Sequence, residues 1–92
     1  MAMKALLEWH IDLGFQEIGH RDTRTAVSLR LPDNTELHAE GHARKHPDDP
    51  RQTQVGEELA AARALNELAR QLLAKAADDI EHATHIPAHP TM

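Results

Sequence analysis

Apolar and polar residues alternate through the first half of the chain, which is the pattern of strands that bury one face. The pattern predicts strands at about residues 7–17, 24–31 and 35–44. The face turned to the core would carry Trp9, Ile11, Leu13 and Phe15 in the first strand, Thr25, Val27, Leu29 and Leu31 in the second, and Leu37, Ala39, Gly41 and Ala43 in the third. Turn-forming residues lie between the strands, at residues 18–22 and 32–34, so we expect an antiparallel meander.

The second half of the chain changes to a helical period. A loop over Lys45–Gln54 should carry the chain from the sheet to a long helix at about residues 54–76. Thr53 has the side chain of an N-cap, and Glu57 and Glu58 suit the positive end of the helix dipole.

A short second helix should follow at about residues 79–85, capped by Asp78 or Asp79 and ended before Pro87. Residues 88–92 are expected to form a frayed tail. The fold class is therefore α+β. It is one domain over residues 1–92, with a three-stranded antiparallel meander, the order β-β-β-α-α, and the long helix packed on one face.

The apolar face of the long helix is wider than packing on one sheet requires. At about 100° per residue the apolar residues fill roughly half of the circle, whereas a surface helix ordinarily needs a stripe of about 100°. These residues are Val55, Leu59, Ala61, Ala62, Leu65, Leu68, Ala69, Leu72, Leu73 and Ala76. One explanation is a homodimer, with an interface at Leu65, Leu68, Leu72, Ala61 and Ala69. The other is an alanine-rich helix whose extra leucines are covered by the short second helix and the N-terminal residues.

Composition limits the class of protein. The chain has 92 residues, and domains of this size bury a small core and often recruit a second subunit. Aromatic residues make up 2%, so the core must be built from Leu, Ile, Val and Ala. The lack of cysteine excludes a disulfide scaffold and suits a reducing cytoplasm. The N-terminal segment has the pattern of neither a signal peptide nor a membrane span.

Histidine is frequent, with eight residues, but its spacing predicts no metal site. His38 and His42 would lie about 13 Å apart along a strand, too far for one ion that bonds each nitrogen at about 2.0–2.1 Å. His82 and His85 have a feasible spacing on a helix but no evident third ligand. Ser28 is the only serine and lies in no nucleophile motif. We expect no metal, no cofactor, no small-molecule substrate and no enzyme activity.

Basic residues collect on the outward face of the predicted sheet. They are Arg24, Arg30, His38, His42, Arg44 and, directly after the third strand, Lys45. Arginine forms forked contacts with phosphate, so this face is a candidate for binding RNA or the ribosome. Against that interpretation stand the formal net charge of -5, the carboxylates of Asp12, Glu36 and Glu40, and the absence of an aromatic stacking platform. A solvated polar face is the alternative.

Glu58 falls inside the apolar arc near the start of the long helix. A buried carboxylate needs a partner, and Arg44 at the end of the third strand is the candidate. We therefore expect an Arg44–Glu58 ion pair that joins the sheet to the helix.

Several short segments together resemble the small actinobacterial proteins of domain-of-unknown-function family 1876, which includes mycobacterial dormancy-associated proteins. The matching segments are Trp9-His10-Ile11-Asp12, Thr23-Arg24-Thr25-Ala26, Gly41-His42-Ala43-Arg44, Pro47-Asp48-Asp49, Gly56-Glu57-Glu58-Leu59, Ala62-Arg63-Ala64-Leu65, Asp79-Ile80-Glu81 and Thr84-His85. The order and spacing of the segments carry the resemblance, which covers nearly the whole chain. His38 and His42 and the tail at His89-Pro90 depart from the family pattern.

The resemblance implies a homodimer whose fold is similar to double-stranded-RNA-binding domains and to ribosome hibernation factors. On this basis we expect a stress- or dormancy-linked accessory protein of the cytoplasm that binds the ribosome or structured RNA. The alternative is a homodimeric protein–protein interaction module without nucleic-acid contact.

Overall fold

A computed structural model of the protein describes residues 7–44 and 53–85. The chain forms three strands, β1 (Ile11–Ile18), β2 (Asp22–Arg30) and β3 (Glu36–Arg44), followed by one helix, α1 (Thr53–Thr84). The strands lie in the order β1-β2-β3 with antiparallel pairing, and α1 packs against one face of the sheet. The predicted α+β class and the antiparallel meander are confirmed.

The two hairpin turns lie where turn-forming residues predict them. Gly19 has a φ of 67° in the turn between β1 and β2, and Asn34 has a φ of 70° in the turn between β2 and β3. Glycine enters this left-handed region freely, and asparagine enters it more easily than most residues. The Asn34 amide also donates to the Leu31 carbonyl at 2.9 Å, which closes the second turn.

Residue pairing fixes which side chains share a face of the sheet. Val27 of β2 lies opposite Leu13 of β1 and Ala39 of β3. Side chains of directly opposed residues point to the same side, so odd-numbered residues of all three strands face α1. Even-numbered residues form the outer face.

The prediction of two helices is wrong, because α1 continues without a break to Thr84. Asp78 and Asp79 lie inside the helix, where the Lys75 ammonium pairs with Asp79 at 2.8 Å in i,i+4 spacing. There is no proline or glycine between Gly56 and Pro87 to interrupt it. The chain leaves the helix at His85, which has a φ of 60° and donates its amide to the Glu81 carbonyl at 2.7 Å.

Strand boundaries differ modestly from the prediction. The first strand was predicted at about residues 7–17 and spans Ile11–Ile18, while the second and third begin within two residues of their predicted starts. The helix was predicted to start at about residue 54 after an N-cap at Thr53, and it starts at Thr53, one residue earlier. The loop was predicted over Lys45–Gln54; its last two residues, Thr53 and Gln54, belong to α1. Its residues 45–52 and the predicted tail over residues 88–92 lie outside the residues that the structure describes.

The core lies between α1 and the β2–β3 half of the sheet. Its buried members are Val27, Leu29, Leu31, Ala39, Ala64 and Leu68, with Leu37 and Leu72 packed against them. At its centre the backbone of α1 lies directly on Gly41 of β3. A Cβ on Gly41 would collide with the Ala60 carbonyl oxygen and the Ala64 amide nitrogen. Glycine is therefore required here for space, and the two alanines allow the same close approach from the helix side.

A charged contact holds the far end of the helix to the sheet. Lys75 lies 2.7 Å from Asp33 in the β2–β3 turn and is only 18% exposed. The hydrogen bond from Lys75 lowers the pKa of Asp33 below its usual value. The same contact, together with Asp79, raises the pKa of Lys75. Both shifts favour the charged forms, so the pair stabilises the folded state at neutral pH.

Replacing Gly41 with alanine or valine should destabilise the fold. The new side chain cannot be accommodated without lifting α1 off β3, and overpacking of this kind costs about 1–3 kcal/mol or more. Thermal unfolding followed by circular dichroism measures the effect. Gly14 is the matched control, because a Cβ built there meets nothing within 4 Å. An unchanged melting temperature for Gly41→Ala would contradict the proposed close contact.

Replacing Asp33 with asparagine should lower the melting temperature at pH 7, with the loss shrinking as the pH falls. A carboxyl whose folded pKa is depressed contributes stability above its ordinary pKa of 3.8. That contribution disappears as the pH drops from there toward the lower folded value. Melting curves of both proteins between pH 7 and pH 2 test this. Asp78→Asn, which removes an exposed carboxylate of the same helix, is the control for loss of a surface charge.

Candidate functional site

The helix-facing side of β1 is apolar and is not covered by the helix. Ile11 is 44%, Leu13 42% and Phe15 47% exposed, although the residues opposite them on β2 are buried. Trp9, which precedes β1, is 56% exposed and lies beside Asp12 and Arg30 of the outer face. The prediction that the first strand buries one face is therefore wrong for the described chain. Three large apolar side chains in one row face solvent beside the helix.

The position of α1 explains this exposure. Three strands spaced at about 4.8 Å make a sheet wider than one helix of about 10 Å diameter can cover. The helix packs on β3 and β2 and makes at most isolated contacts with β1. Two of its side chains reach over the outer edge of β3. Arg63 donates to the His42 carbonyl at 2.6 Å, and Gln71 donates to the His38 carbonyl at 2.7 Å.

The flank of α1 that faces the other way, toward β1, is apolar. At about 100° per residue, Ala61, Leu65, Ala69 and Leu72 follow the buried residues Ala64 and Leu68 on the side away from Arg63. Leu65 remains 38% exposed. We call the surface formed by this flank and by the row Ile11, Leu13 and Phe15 the β1 groove. Its floor is the strand and its wall is the helix.

The residues expected at a dimer interface fall into two groups. Ala61, Leu65, Ala69 and Leu72 lie on the wall of the β1 groove, although Leu72 also packs against the core. Leu68 is 2% exposed and belongs to the subunit's own core, so its side chain is not at the surface. Beyond the wall the apolar arc continues to Val55 and Leu59, which are 43% and 46% exposed.

The outer face of the sheet carries charges that are largely paired within the sheet. Asp22 lies 3.2 Å from His42 and 3.6 Å from Arg44. Glu36 lies 3.2 Å from Arg30 and 3.3 Å from His38. These contacts are between exposed groups, so each contributes little to stability, but the carboxylates reduce the positive potential of the face.

Most of the residues expected to contact RNA do lie together on this face. The even-numbered positions of β2 and β3 bring Arg24, Arg30, His38, His42 and Arg44 to one side of the sheet. Among the described contacts only Arg24 has no ion-pair partner in this group. Four carboxylates share the face, namely Asp12, Asp22, Glu36 and Glu40. Lys45 lies outside the described residues.

The expected ion pair between Arg44 and Glu58 is not formed. Arg44 lies on the outer face beside Asp22, whereas Glu58 is an exposed residue of the first turns of α1. Glu58 instead accepts a hydrogen bond from Gln54 at 3.1 Å, in i,i+4 spacing. It does not need a cation, because its carboxylate remains in contact with water.

Within residues 7–44 and 53–85, no three His, Asp or Glu side chains come together as ligands for a metal ion. His82 is engaged locally, since its ring nitrogen Nδ1 lies 2.7 Å from the Asp78 carbonyl oxygen. In the same part of the chain, no helix has the length and apolar character needed to cross a membrane.

Comparison with known proteins identifies relatives in mycobacteria. The chain is 44% identical over 71 residues to the uncharacterized protein Rv2632c of Mycobacterium tuberculosis strain H37Rv, which covers 76% of each chain. It is 38% identical over 84 residues to the uncharacterized protein Mb1767 of Mycobacterium bovis, which covers 90% of this chain and 86% of the relative. An equal match of 38% joins it to the uncharacterized protein MT1780 of Mycobacterium tuberculosis strain CDC 1551.

A family model, that of Rv2632c-like proteins, matches residues 7–89. The resemblance to domain-of-unknown-function family 1876 was therefore the wrong assignment, because the matching family has a different name and its mycobacterial relatives are uncharacterized. The match spans all four elements of the fold, and on this evidence the chain belongs to the Rv2632c-like family.

Proposed function

We propose that this protein is a non-enzymatic interaction module of the cytoplasm that works as a homodimer, with the β1 groove as its contact surface. The observation that carries the proposal is the row Ile11, Leu13 and Phe15, exposed beside an apolar helix flank. Large contiguous apolar patches on small soluble proteins mark contact surfaces.

The shape of the groove supports a protein partner over a small molecule. It is bounded by a strand on one side and a helix on the other, and the helix makes at most isolated contacts with that strand. Its floor is apolar from Ile11 to Phe15, without the convergent polar groups that orient a small ligand. An extended apolar surface of this kind is suited to packing against another folded surface.

The partner most consistent with the sequence is a second copy. The apolar arc of α1 has one part, around Ala60, Ala64 and Leu68, that its own sheet uses, and another part, around Leu65 and Ala69, that it does not. A symmetric dimer brings two such unused surfaces together, so each covers the other. The small core of a 92-residue chain gives this additional burial a large share in stability.

Replacing Leu65 with glutamate should dissociate the homodimer without unfolding the subunit. Leu65 is 38% exposed in the subunit, so its replacement leaves the core intact. Burying an unpaired carboxylate at the interface costs about 2 kcal/mol or more, which raises the dissociation constant roughly 30-fold. Sedimentation equilibrium over a range of concentrations measures this.

The matched control is Arg70→Ala, on the flank of α1 that faces away from β1, where Arg70 pairs with Glu67 at 3.1 Å. Its dissociation constant should equal that of the wild type. The proposal fails if the wild-type protein is monomeric at high micromolar concentration. It also fails if Leu65→Glu and Arg70→Ala associate equally well.

A second candidate function is binding of the ribosome or of structured RNA through the outer face. One observation favours it, namely that Arg24, Arg30 and Arg44 share this solvent-exposed face with His38 and His42. The β-β-β-α order is also similar to that of double-stranded-RNA-binding domains, which is an analogy at the level of fold. The stress- or dormancy-linked role expected above belongs to this candidate. We rank it second because the carboxylates of Asp22 and Glu36 occupy the basic groups.

If the second candidate is correct, the protein should co-sediment with ribosomes in low salt and be released as the salt concentration rises, because phosphate contacts release counterions. Arg24→Ala should weaken the association, since the Arg24 side chain is exposed and outside the ion-pair network of the face. Arg70→Ala, on the helix, should not. Absence of co-sedimentation in low salt, at both pH 7.5 and pH 6, would remove this candidate and leave the homodimer proposal untouched.

A further inference from the structure

The outer edges of β3 and β1 differ in whether other residues bond to their main-chain groups. At the outer edge of β3, Arg63 occupies the His42 carbonyl and Gln71 occupies the His38 carbonyl. Helix side chains therefore take up main-chain acceptors that an incoming strand would need. At the outer edge of β1, no strand is paired in the part of the chain that the structure describes.

The direction of the main-chain groups on β1 follows from the bonds on β3. The carbonyls of His38 and His42 point away from β2. The main-chain N–H and C=O groups of even-numbered β3 residues therefore point to the outer edge of the sheet, and those of odd-numbered residues bond to β2. Main-chain direction alternates along each strand. Following the register across β2, odd-numbered residues of β1 direct their N–H and C=O groups to the free edge. These are Ile11, Leu13, Phe15 and Glu17.

The same residues therefore combine exposed apolar side chains with unpaired main-chain groups. Ile11, Leu13 and Phe15 carry both the exposed apolar side chains of the groove floor and the main-chain groups of the free edge. An exposed, apolar edge strand is a template for pairing with another chain, and proteins usually protect such edges with charge, proline or a covering segment. β3 is protected by Arg63 and Gln71, whereas no residue within 7–44 and 53–85 protects the apolar part of β1 in this way.

We propose that β1 pairs edge to edge with β1 of a second copy, antiparallel, with Leu13 opposite the partner's Leu13. This inference rests on the proposed homodimer and specifies how its subunits meet. The result is a continuous six-stranded sheet with both helices on one face. The two groove floors then lie side by side between the two helices.

The pattern of β1 selects this register among the symmetric alternatives. Centred on Leu13, the pairing sets Ile11 opposite the partner's Phe15, and all three apolar residues of each strand meet an apolar residue. It also sets Asp12 opposite the partner's Gly14, so no like charges are directly opposed. Cross-strand pairs of apolar residues stabilise a sheet, and opposed like charges destabilise it.

Neighbouring registers are less favourable. Centring the pairing on Asp12 opposes the two Asp12 carboxylates directly. Centring it on Gly14 places Ile11, within the strand, against the partner's Glu17 carboxylate. In the register centred on Leu13, Glu17 lies opposite the partner's Trp9, which precedes β1. The residues from Ile11 to Phe15 are therefore self-complementary about Leu13, which is why the occupant of this edge is a second copy of the chain.

Single cysteine variants test the register, because the natural chain has no cysteine. Residues directly opposed in a hydrogen-bonded antiparallel pair have Cα atoms about 5.5 Å apart, within the range of about 4.4–6.8 Å that a disulfide spans. Leu13→Cys should form a disulfide-linked dimer under mild oxidation. Ile11→Cys alone should not, since two Ile11 positions lie more than about 13 Å apart in this register.

Mixing two variants provides the matched control. Ile11→Cys and Phe15→Cys should each remain unlinked alone but should cross-link when mixed, because Ile11 lies opposite the partner's Phe15. Non-reducing electrophoresis gives the linked fraction. Sedimentation of the reduced proteins gives the oligomeric state of each variant.

The outcomes separate this inference from the proposal on which it rests. Linking of Leu13→Cys and of the mixture, several-fold above either single variant, supports the edge pairing. A clean dimer in which Leu13→Cys stays unlinked, or in which Ile11→Cys alone links as readily, overturns the edge pairing but leaves the homodimer in place. A monomer at every concentration overturns both.

Discussion

The close contact between Gly41 and the backbone of α1 is the constraint on which the rest of the structure depends. Because Gly41 has no side chain, the helix can descend on β3 until Ala60 and Ala64 touch the strand. That contact sets the helix over β3 and β2, closes the small core around Val27, Leu29 and Leu68, and commits the only described helix to two of three strands. The uncovered apolar face of β1 is a direct consequence. A bulkier residue at Gly41 would raise the helix, and the core on both sides of it would lose its packing.

Polar side chains hold the helix toward the β3 side of the sheet. Arg63 and Gln71 bond to the outer carbonyls of β3, and Lys75 bonds to Asp33 in the turn that joins β2 and β3. All three hold the helix on the side away from β1. At Ala61, Leu65, Ala69 and Leu72 the flank toward β1 has only apolar and small residues, and Glu58 on the same flank bonds to Gln54 of the helix itself. No polar contact of the described residues therefore draws the helix over that strand. The same polar contacts that anchor the helix therefore also close one edge of the sheet and leave the other open.

The sequence allowed prediction of those features that depend on local pattern. Alternation identified all three strands, the buried residues Thr25, Val27 and Leu29 of β2, and Leu31 directly after it. Turn residues located both hairpins. The short second helix was wrong because Asp78 and Asp79 resemble caps, whereas helix continuation through them depends on the absence of a breaker and on the Lys75–Asp79 pair. The exposure of β1 was not predictable. Alternation of apolar and polar residues indicates that a strand has an apolar face, but it does not indicate which element covers that face. Likewise, partners of Arg44 and Glu58 depend on which face each residue occupies after folding.

Among the described elements, β1 has the most apolar side chains and main-chain groups without a partner. Its side chains lack an apolar neighbour, and its outer main-chain groups lack a strand. A partner helix alone would cover the apolar side chains but not pair the main-chain groups. An extended peptide alone would pair the main-chain groups but not cover the side chains. A second copy would bring both an apolar helix flank and an apolar strand, and its own β1 has the same unpartnered groups. The charges that are present, Asp12 and Glu17, do not oppose this arrangement, because in the register centred on Leu13 neither meets a carboxylate. The proposed dimer would also protect β1 against indiscriminate aggregation, because pairing in one register would leave no apolar edge strand open to other chains.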